Sequence, residues 1–363
     1  MWKRKIAILA VFFMGVGPAV FDAQGQTGDE LAQARQRVAE FETPLVQQLL
    51  AAKNDNEIRD SEEFRSVIRD FFAGLDASAT RVAATELLDS RYVYIVNSEF
   101  AAQLLGPLIR DADPVVRARA ARAIGYNHCG AQYADELIAM LDGEPSADAL
   151  VNVAYAMGGS GHQPFVIHLV KLLSHADAKV RSAALLELTR LSPKQAFDHN
   201  LRLLNDGQPS VRSAAIQNLA QYPVESSLMH VERKLNDEDP SVRERAVWVL
   251  GQMTSTRSAD VIAKRLSDAD HLVRGRAALV LGQLHATRHA HDVATLLKDE
   301  DVVVRRYATQ AFGAMGEPRY IEDLRPLLGD ADGQVRKYAA EAIRELEAVK
   351  TDGEPDDARE PPS

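Results

Sequence analysis

The chain has 363 residues, 46% hydrophobic and 26% charged, with a formal net charge of −10 at pH 7. So acidic a chain lacks the basic footprint that nucleic-acid binding needs. Its single cysteine, Cys129, excludes an internal disulfide, so the fold must be held by burial, for which the apolar content is ample.

Residues 1–25 read as a secretory signal. Lys3, Arg4 and Lys5 give the basic start, residues 6–20 the apolar stretch, and Ala23, Gln24 and Gly25 the small residues of a cleavage site. Gly15, Gly17 and Pro18 interrupt a stretch already short of the ~20 apolar residues of a membrane-spanning helix, so an uncleaved anchor is the alternative. Cleavage removes Lys3, Arg4, Lys5 and Asp22 and takes the formal charge from −10 to −12. Periplasmic or extracellular export is expected.

Residues 26–97 are helical in pattern but follow no fixed period. Two helices are expected over 29–41 and 44–53, and Asp60 with Glu63 makes a capping box for a third through Phe71 and Phe72. Residues 79–88, with Arg81, read as a worn first repeat, and the whole region as an N-terminal cap that shields the end of an array. Residues 91–96 are the one β-like run, read as a connection between helices.

Over 98–350 the chain repeats. Arg181, Arg212, Arg243, Arg274, Arg305 and Arg336 each follow a Val, and every interval is 31 residues. Arg117 is an earlier copy, 64 residues before Arg181, and between them Ala149 and Leu150 stand where Val and Arg belong. Asp111, Asp206, Asp237, Asp268, Asp299 and Asp330 precede their Arg by six residues. Asp113, Asp177, Asp239, Asp270, Asp301 and Asp332 precede it by four, and Pro114, Pro209 and Pro240 follow that place. Asp then Pro ahead of an apolar-periodic run marks a helix N-terminus. Val242, Ala246, Val249, Leu250 and Met253 then trace a single stripe at helical spacing. Gly125, Gly158, Gly251, Gly282 and Gly313 follow, where the helix ends or packs closely on a neighbour. A shorter apolar helix, as at 261–266, precedes each Asp pair. A fixed period of this length, built of two helices and a turn, is the mark of a solenoid.

The pattern resembles the HEAT repeat, particularly the phycobilisome lyase-like variety, and residues 237–251, DEDPSVRERAVWVLG, match it almost completely. The resemblance covers about 98–349 and implies an all-α, right-handed α-solenoid of about eight helix pairs. It also implies that Arg117, Arg181, Arg212, Arg243, Arg274, Arg305 and Arg336 form a structural ladder with Asp237, Asp268, Asp299 and their counterparts. The second helices would line the concave side. Such repeats serve scaffolds, adaptors and a few enzymes, so fold alone does not decide function.

The enzyme relatives fit poorly. Deoxyhypusine hydroxylase relies on His-Glu pairs along its stack, and this sequence contains none. Bilin lyases work inside photosynthetic cells, and HEAT-like DNA glycosylases are opposed by export and by acidic charge. His285, His289 and His291, with Asp292, have loop-like spacing and read as a solvated turn rather than a metal site. Cys129 reads as a packed residue. No cofactor is expected.

On the helical wheel the face away from the Val stripe carries Arg119, Arg122, Tyr126, Tyr155, Arg190, Arg245, Trp248, Arg276, Arg306, Tyr307 and Tyr338, interleaved with Gln217, Gln252 and Gln310. Arg, Trp and Tyr are the types enriched at binding hot spots. The expected function is therefore an exported, non-enzymatic scaffold holding another protein, through a segment of acidic character. The alternative is an enzyme or cofactor-lyase relative using the His285 turn. Residues 351–363 are acidic and Pro-rich and read as a disordered tail.

Overall fold

The computed structural model describes residues 105–352 except 127, 145 and 254–257. The signal sequence, the cap with Arg81 and the 91–96 run, and residues 353–363 lie outside the described residues. The chain divides into two compact units, Met1–Gln195 and Ala196–Ser363, and no strand occurs among the described residues. The fold is an all-α solenoid built from eight described repeats.

Each repeat is marked by its second helix. In the first unit these are Pro114–Tyr126, Ala147–Gly159 and Ala178–Leu191. In the second they are Pro209–Leu219, Pro240–Gln252, His271–Gln283, Val302–Met315 and Gly333–Asp352. The helices begin where the Asp-rich turns predict. Asp177, Asp239, Asp270 and Asp301 are N-caps whose carboxylates accept backbone N–H groups of the first turn. The second repeat uses Ser146 in that place, accepting from the Ala149 N–H. In the fourth repeat Gln208 makes no cap bond, but Pro209 fixes the first helical φ.

The first helices are short and several finish as 3-10 turns: Ser258–Ala263 runs into Lys264–Ser267, and Ala290–Thr295 into Leu296–Lys298. The core lies between the two helices of a repeat and their neighbours. Val242, Ala246, Val249 and Leu250 are fully buried, as are Ile262 and Val231 from first helices. Burying such a side chain contributes about 1.5–3 kcal/mol, so solenoid stability accrues repeat by repeat. The recurrent glycines sit where successive second helices touch. A Cβ on Gly282 would lie 2.5 Å from the Ala311 Cα, so only glycine permits that approach.

Where the ladder is regular, its Arg closes two turns at once. Arg243 Nη1 donates to the carbonyls of Asp237 and Glu238 in its own turn, at 2.9 and 3.1 Å. Its Nε and Nη2 donate to both carboxylate oxygens of Asp268, the first Asp of the next turn, at 2.9 and 2.7 Å. Arg274 repeats this on Asp299 and Arg305 on Asp330. Arg212 reaches Asp237 through Nη2 alone, at 2.7 Å. Arg181 and Arg336 bond the two carbonyls of their own turns. Each first Asp also accepts the N–H two residues on, as Asp268 does from Asp270. Burial alone would raise the Asp268 pKa, but the bonds from Arg243 and Asp270 outweigh it and hold the carboxyl below its ordinary value.

Two substitutions keep the ladder satisfied at its irregular end. After Arg117 the next turn offers Glu144 instead of Asp, which accepts Arg117 Nε at 2.9 Å and the Ser146 N–H at 3.1 Å. Leu150 then supplies no guanidinium, and the following turn carries His175, whose Nδ1 accepts the Asp177 N–H at 3.0 Å. An imidazole replaces a carboxylate where no arginine precedes it. That avoids a half-buried unpaired carboxylate.

Candidate functional site

The outward side chains of the second helices arise from the same repeat geometry. Residues two and five places after a ladder Arg fall off the Val stripe, and in the second unit these include Arg245, Trp248, Arg276 and Tyr307. The structure brings three of them together. The Arg276 guanidinium lies over the Trp248 ring at 5.0 Å and over the Tyr307 ring at 5.6 Å, so three successive repeats contribute to one stack. Its Nε donates to Glu244 at 2.5 Å, and its Nη1 and Nη2 make no hydrogen bond among the described residues. Trp248, Arg276, Tyr307 and Tyr338 are all half-buried.

The other arginines are more occupied than a helical wheel suggests. Arg245 donates to Gln217 at 3.1 Å. Arg306 makes a two-point pair with Asp332, at 2.9 and 2.6 Å, while Asp332 also caps the last helix through the N–H groups of Gln334 and Val335. These hydrogen bonds hold the Asp332 carboxyl far below its ordinary range. The partners stand 26 to 32 residues away, in a neighbouring repeat, where a wheel drawn for one helix cannot place them.

In the first unit the same face forms a cavity of about 520 Å³ lined by Arg122, Tyr126, His128, Asn152, Tyr155 and Glu187, with Arg190 and the glycines 125 and 159. Arg122 lies over the Tyr126 ring at 5.4 Å and donates to its hydroxyl at 3.3 Å. Tyr126 and Tyr155 are 38% and 39% exposed. His128 adopts a left-handed backbone (φ 55°), with Nδ1 2.6 Å from the Gly159 carbonyl oxygen. Arg119 is half-buried on the same helix as Arg122.

Glu187 is the residue that periodic reading passes over. Its side chain is fully buried, neither carboxylate oxygen has a hydrogen-bond partner, and Arg190 Nη1 stands 3.4 Å away. Burial pushes its carboxyl up to about 7 against the pull of Arg190. The signal was present: six places after the ladder Arg, the other repeats carry Ala123, Ala156, Val249, Val280, Ala311 and Ala342, with Asn218 the other polar exception. A Glu in an apolar column is conspicuous once the copies are aligned.

The histidine turn is tied down by polar contacts to Asp260 and Asp292. His289 Nε2 lies 2.9 Å from Asp260 and its Nδ1 3.5 Å from Asp292, and Arg288 pairs with Asp260 at 2.9 Å. His285 is exposed with φ 49°, and His291 is exposed. Among the described residues no three His, Cys, Asp or Glu side chains converge as a metal-ligand set. Cys129 is 1% exposed, its Sγ 3.6 Å from the Ile124 carbonyl oxygen, and burial raises its thiol to about 11.

Comparison with known proteins adds the following. The family profile described as HEAT repeats matches residues 101–189, 166–233, 197–282 and 259–344. No curated protein sequence matches the chain. Among solved structures, an engineered protein aligns over 83% of this chain and 97% of its own at 18% identity and a TM-score of 0.43. The Escherichia coli protein YibA aligns over 81% and 95% at 18% identity and a TM-score of 0.44. A chain from the complex in which Kap95p binding switches the loops of RanGDP aligns over 88% of this chain at 14% identity and a TM-score of 0.57. This chain spans 50% of that one, and the likeness concerns fold alone.

Proposed function

This chain belongs to the HEAT-repeat family, and on that premise we propose that it is an exported, non-catalytic scaffold that holds an acidic segment of another protein. HEAT repeats generally serve as protein-interaction scaffolds, and their solenoid fold is typically non-catalytic. The observation that carries the finer reading is the Trp248–Arg276–Tyr307 stack. A guanidinium held between two aromatic rings is already ordered, so a carboxylate that meets its Nη groups need not immobilise a long side chain first. Aromatic and Arg side chains presented this way form the centre of many interfaces. The internal pairs of Arg245 and Arg306 narrow the acidic contact to Arg276 rather than to the whole row. Export is supported by the basic start and apolar stretch of residues 3–20. Among the described residues no helix is long and apolar enough to cross a membrane.

The test is capture of partners from an extract of the native host by the full chain and by a Trp248→Ala, Arg276→Ala variant. The variant should keep its helical circular dichroism and lose the partners, with affinity falling by at least ~2 kcal/mol and declining with salt. Equal recovery by both proteins would overturn the reading. Export is checked on the same protein by mass spectrometry, which should find the mature chain beginning near Gln26.

A further inference from the structure

The cavity of the first unit has a feature that neither the repeat nor the protein's internal contacts require. Glu187 stands in a column that is Ala or Val in six other repeats, so the architecture works without a carboxylate there. It packs on Gly158, the recurrent glycine of the preceding repeat, where a Cβ would fall 2.5 Å from the Glu187 Cβ. Its two oxygens are nonetheless without a hydrogen bond. A buried polar group left in that state is costly to the fold and needs an explanation beyond packing. The one cation near it among the described residues, Arg190, stands at 3.4 Å with 62% of its own side chain exposed. Glu187 and Arg190 both border the cavity.

The surrounding chemistry restricts what can enter. Arg122 and Arg190 line the same cavity, so a lone cation meets two guanidinium groups and a lone anion meets Glu187. A ligand carrying both signs answers both. The volume, about 520 Å³, is in the range that encloses a small ligand or a pair of side chains. Tyr126 and Tyr155, each partly exposed, supply ring faces for the aliphatic stem and hydroxyls at the edge.

We propose that this cavity is a binding pocket for a zwitterionic group, its cationic hydrogen-bond donor taken by Glu187 and its carboxylate by Arg190 and Arg122. This deepens the scaffold reading, on which it rests, by giving the first unit a contact of its own, a partner stretch that carries a basic and an acidic residue close together. The same chemistry also describes a free amino acid, and the probes below separate the two sources. The full chain is titrated with 6-aminohexanoate, with acetyl-Lys-Glu-amide, and with butylamine and butyrate as single-charge controls, followed by calorimetry or NMR. One of the two zwitterions should bind at least tenfold more tightly than either control. Preference for the blocked dipeptide identifies a partner segment, and preference for 6-aminohexanoate a free amino acid.

Glu187→Gln should abolish the advantage over the controls. Arg190→Ala, at an exposed position that leaves the fold intact, should reduce zwitterion affinity tenfold while sparing butylamine. Equal binding of zwitterions and controls, no binding of either zwitterion, or full zwitterion affinity in the Arg190→Ala protein would overturn the proposal. Trp248 and Arg276 lie outside this cavity. Loss of zwitterion binding with partner capture intact would therefore strike the pocket alone, and the reverse result the scaffold reading alone.

Discussion

Arg243→Ala tests the physical account of the array most directly. The substitution removes four hydrogen bonds: two to the carbonyls of Asp237 and Glu238, and two to the carboxylate of Asp268. The Arg243 side chain is 14% exposed and that of Asp268 only 5%, so water cannot readily replace what is lost. Breaking a buried ion pair by deleting one partner costs about 3–5 kcal/mol, because the survivor remains buried and charged. Asp268 keeps the Asp270 N–H at 3.0 Å and a distant Arg265 at 3.9 Å, which places the expected loss near the lower end, about 3 kcal/mol. Arg336→Ala is the internal control. Arg336 is exposed and bonds only the carbonyls of Asp330 and Ala331, so about 1 kcal/mol or less should be lost.

Urea unfolding of both variants at pH 7, followed by circular dichroism, separates the two values. The gap between them should narrow in acid. Asp268 titrates below its ordinary value in the folded chain, so its contribution is present above the unfolded pKa of about 3.9 and is lost as pH falls through the lower folded one. Equal losses in the two variants at pH 7 would refute the claim that the cross-turn pair, rather than the turn itself, carries the energy.

Three further outcomes follow from particular contacts. Gly282→Ala should destabilise by about 1–3 kcal/mol despite its better helix propensity, because the new methyl meets the Ala311 Cα, Cβ and carbonyl oxygen within 2.9 Å; an unchanged melting temperature would contradict the close approach. Glu187→Gln should stabilise the ligand-free chain at pH 8 by about 3 kcal/mol and leave it unchanged near pH 4. The sign follows from a folded pKa raised to about 7: the folded state holds its proton longer, so the wild type loses stability as pH climbs from the unfolded value through 7, and the amide does not. Cys129 should resist a thiol reagent in the native protein and react promptly in urea, because its thiol is raised to about 11 and 1% exposed; fast native labelling would show an opening absent from this structure.

Much of the fold was legible because it is written eight times over. A 31-residue interval, an Asp cap and an apolar stripe at 3.6 spacing each specify helix starts and buried faces by local rules. Periodicity speaks less clearly about short elements. The stretch 261–266 reads as helix, yet the α-helix ends at Ala263 and a 3-10 turn takes over, a distinction of hydrogen-bond register rather than of composition. The candidate face was legible only as a row of residue types. Its pairings, Arg276 with Glu244 and Arg306 with Asp332, join different repeats and depend on how far apart the helices lie. Glu187 was hidden for the opposite reason. A pattern search looks for what recurs, and this residue matters because it does not.

The cross-turn arginine also gives the array a direction. Arg243 belongs to one repeat and Asp268 to the next, so that junction, like those of Arg212, Arg274 and Arg305, has a guanidinium on its N-terminal side and a carboxylate on its C-terminal side. During synthesis the N-terminal repeat emerges first and already holds its Arg in place through its own turn's carbonyls. The following turn therefore arrives at a docking point that is charged, oriented and waiting, and each new repeat can be captured as it emerges. An array joined this way grows like a chain of plugs and sockets, and Arg336, bonded only to its own turn, is a plug that holds no further carboxylate among the described residues.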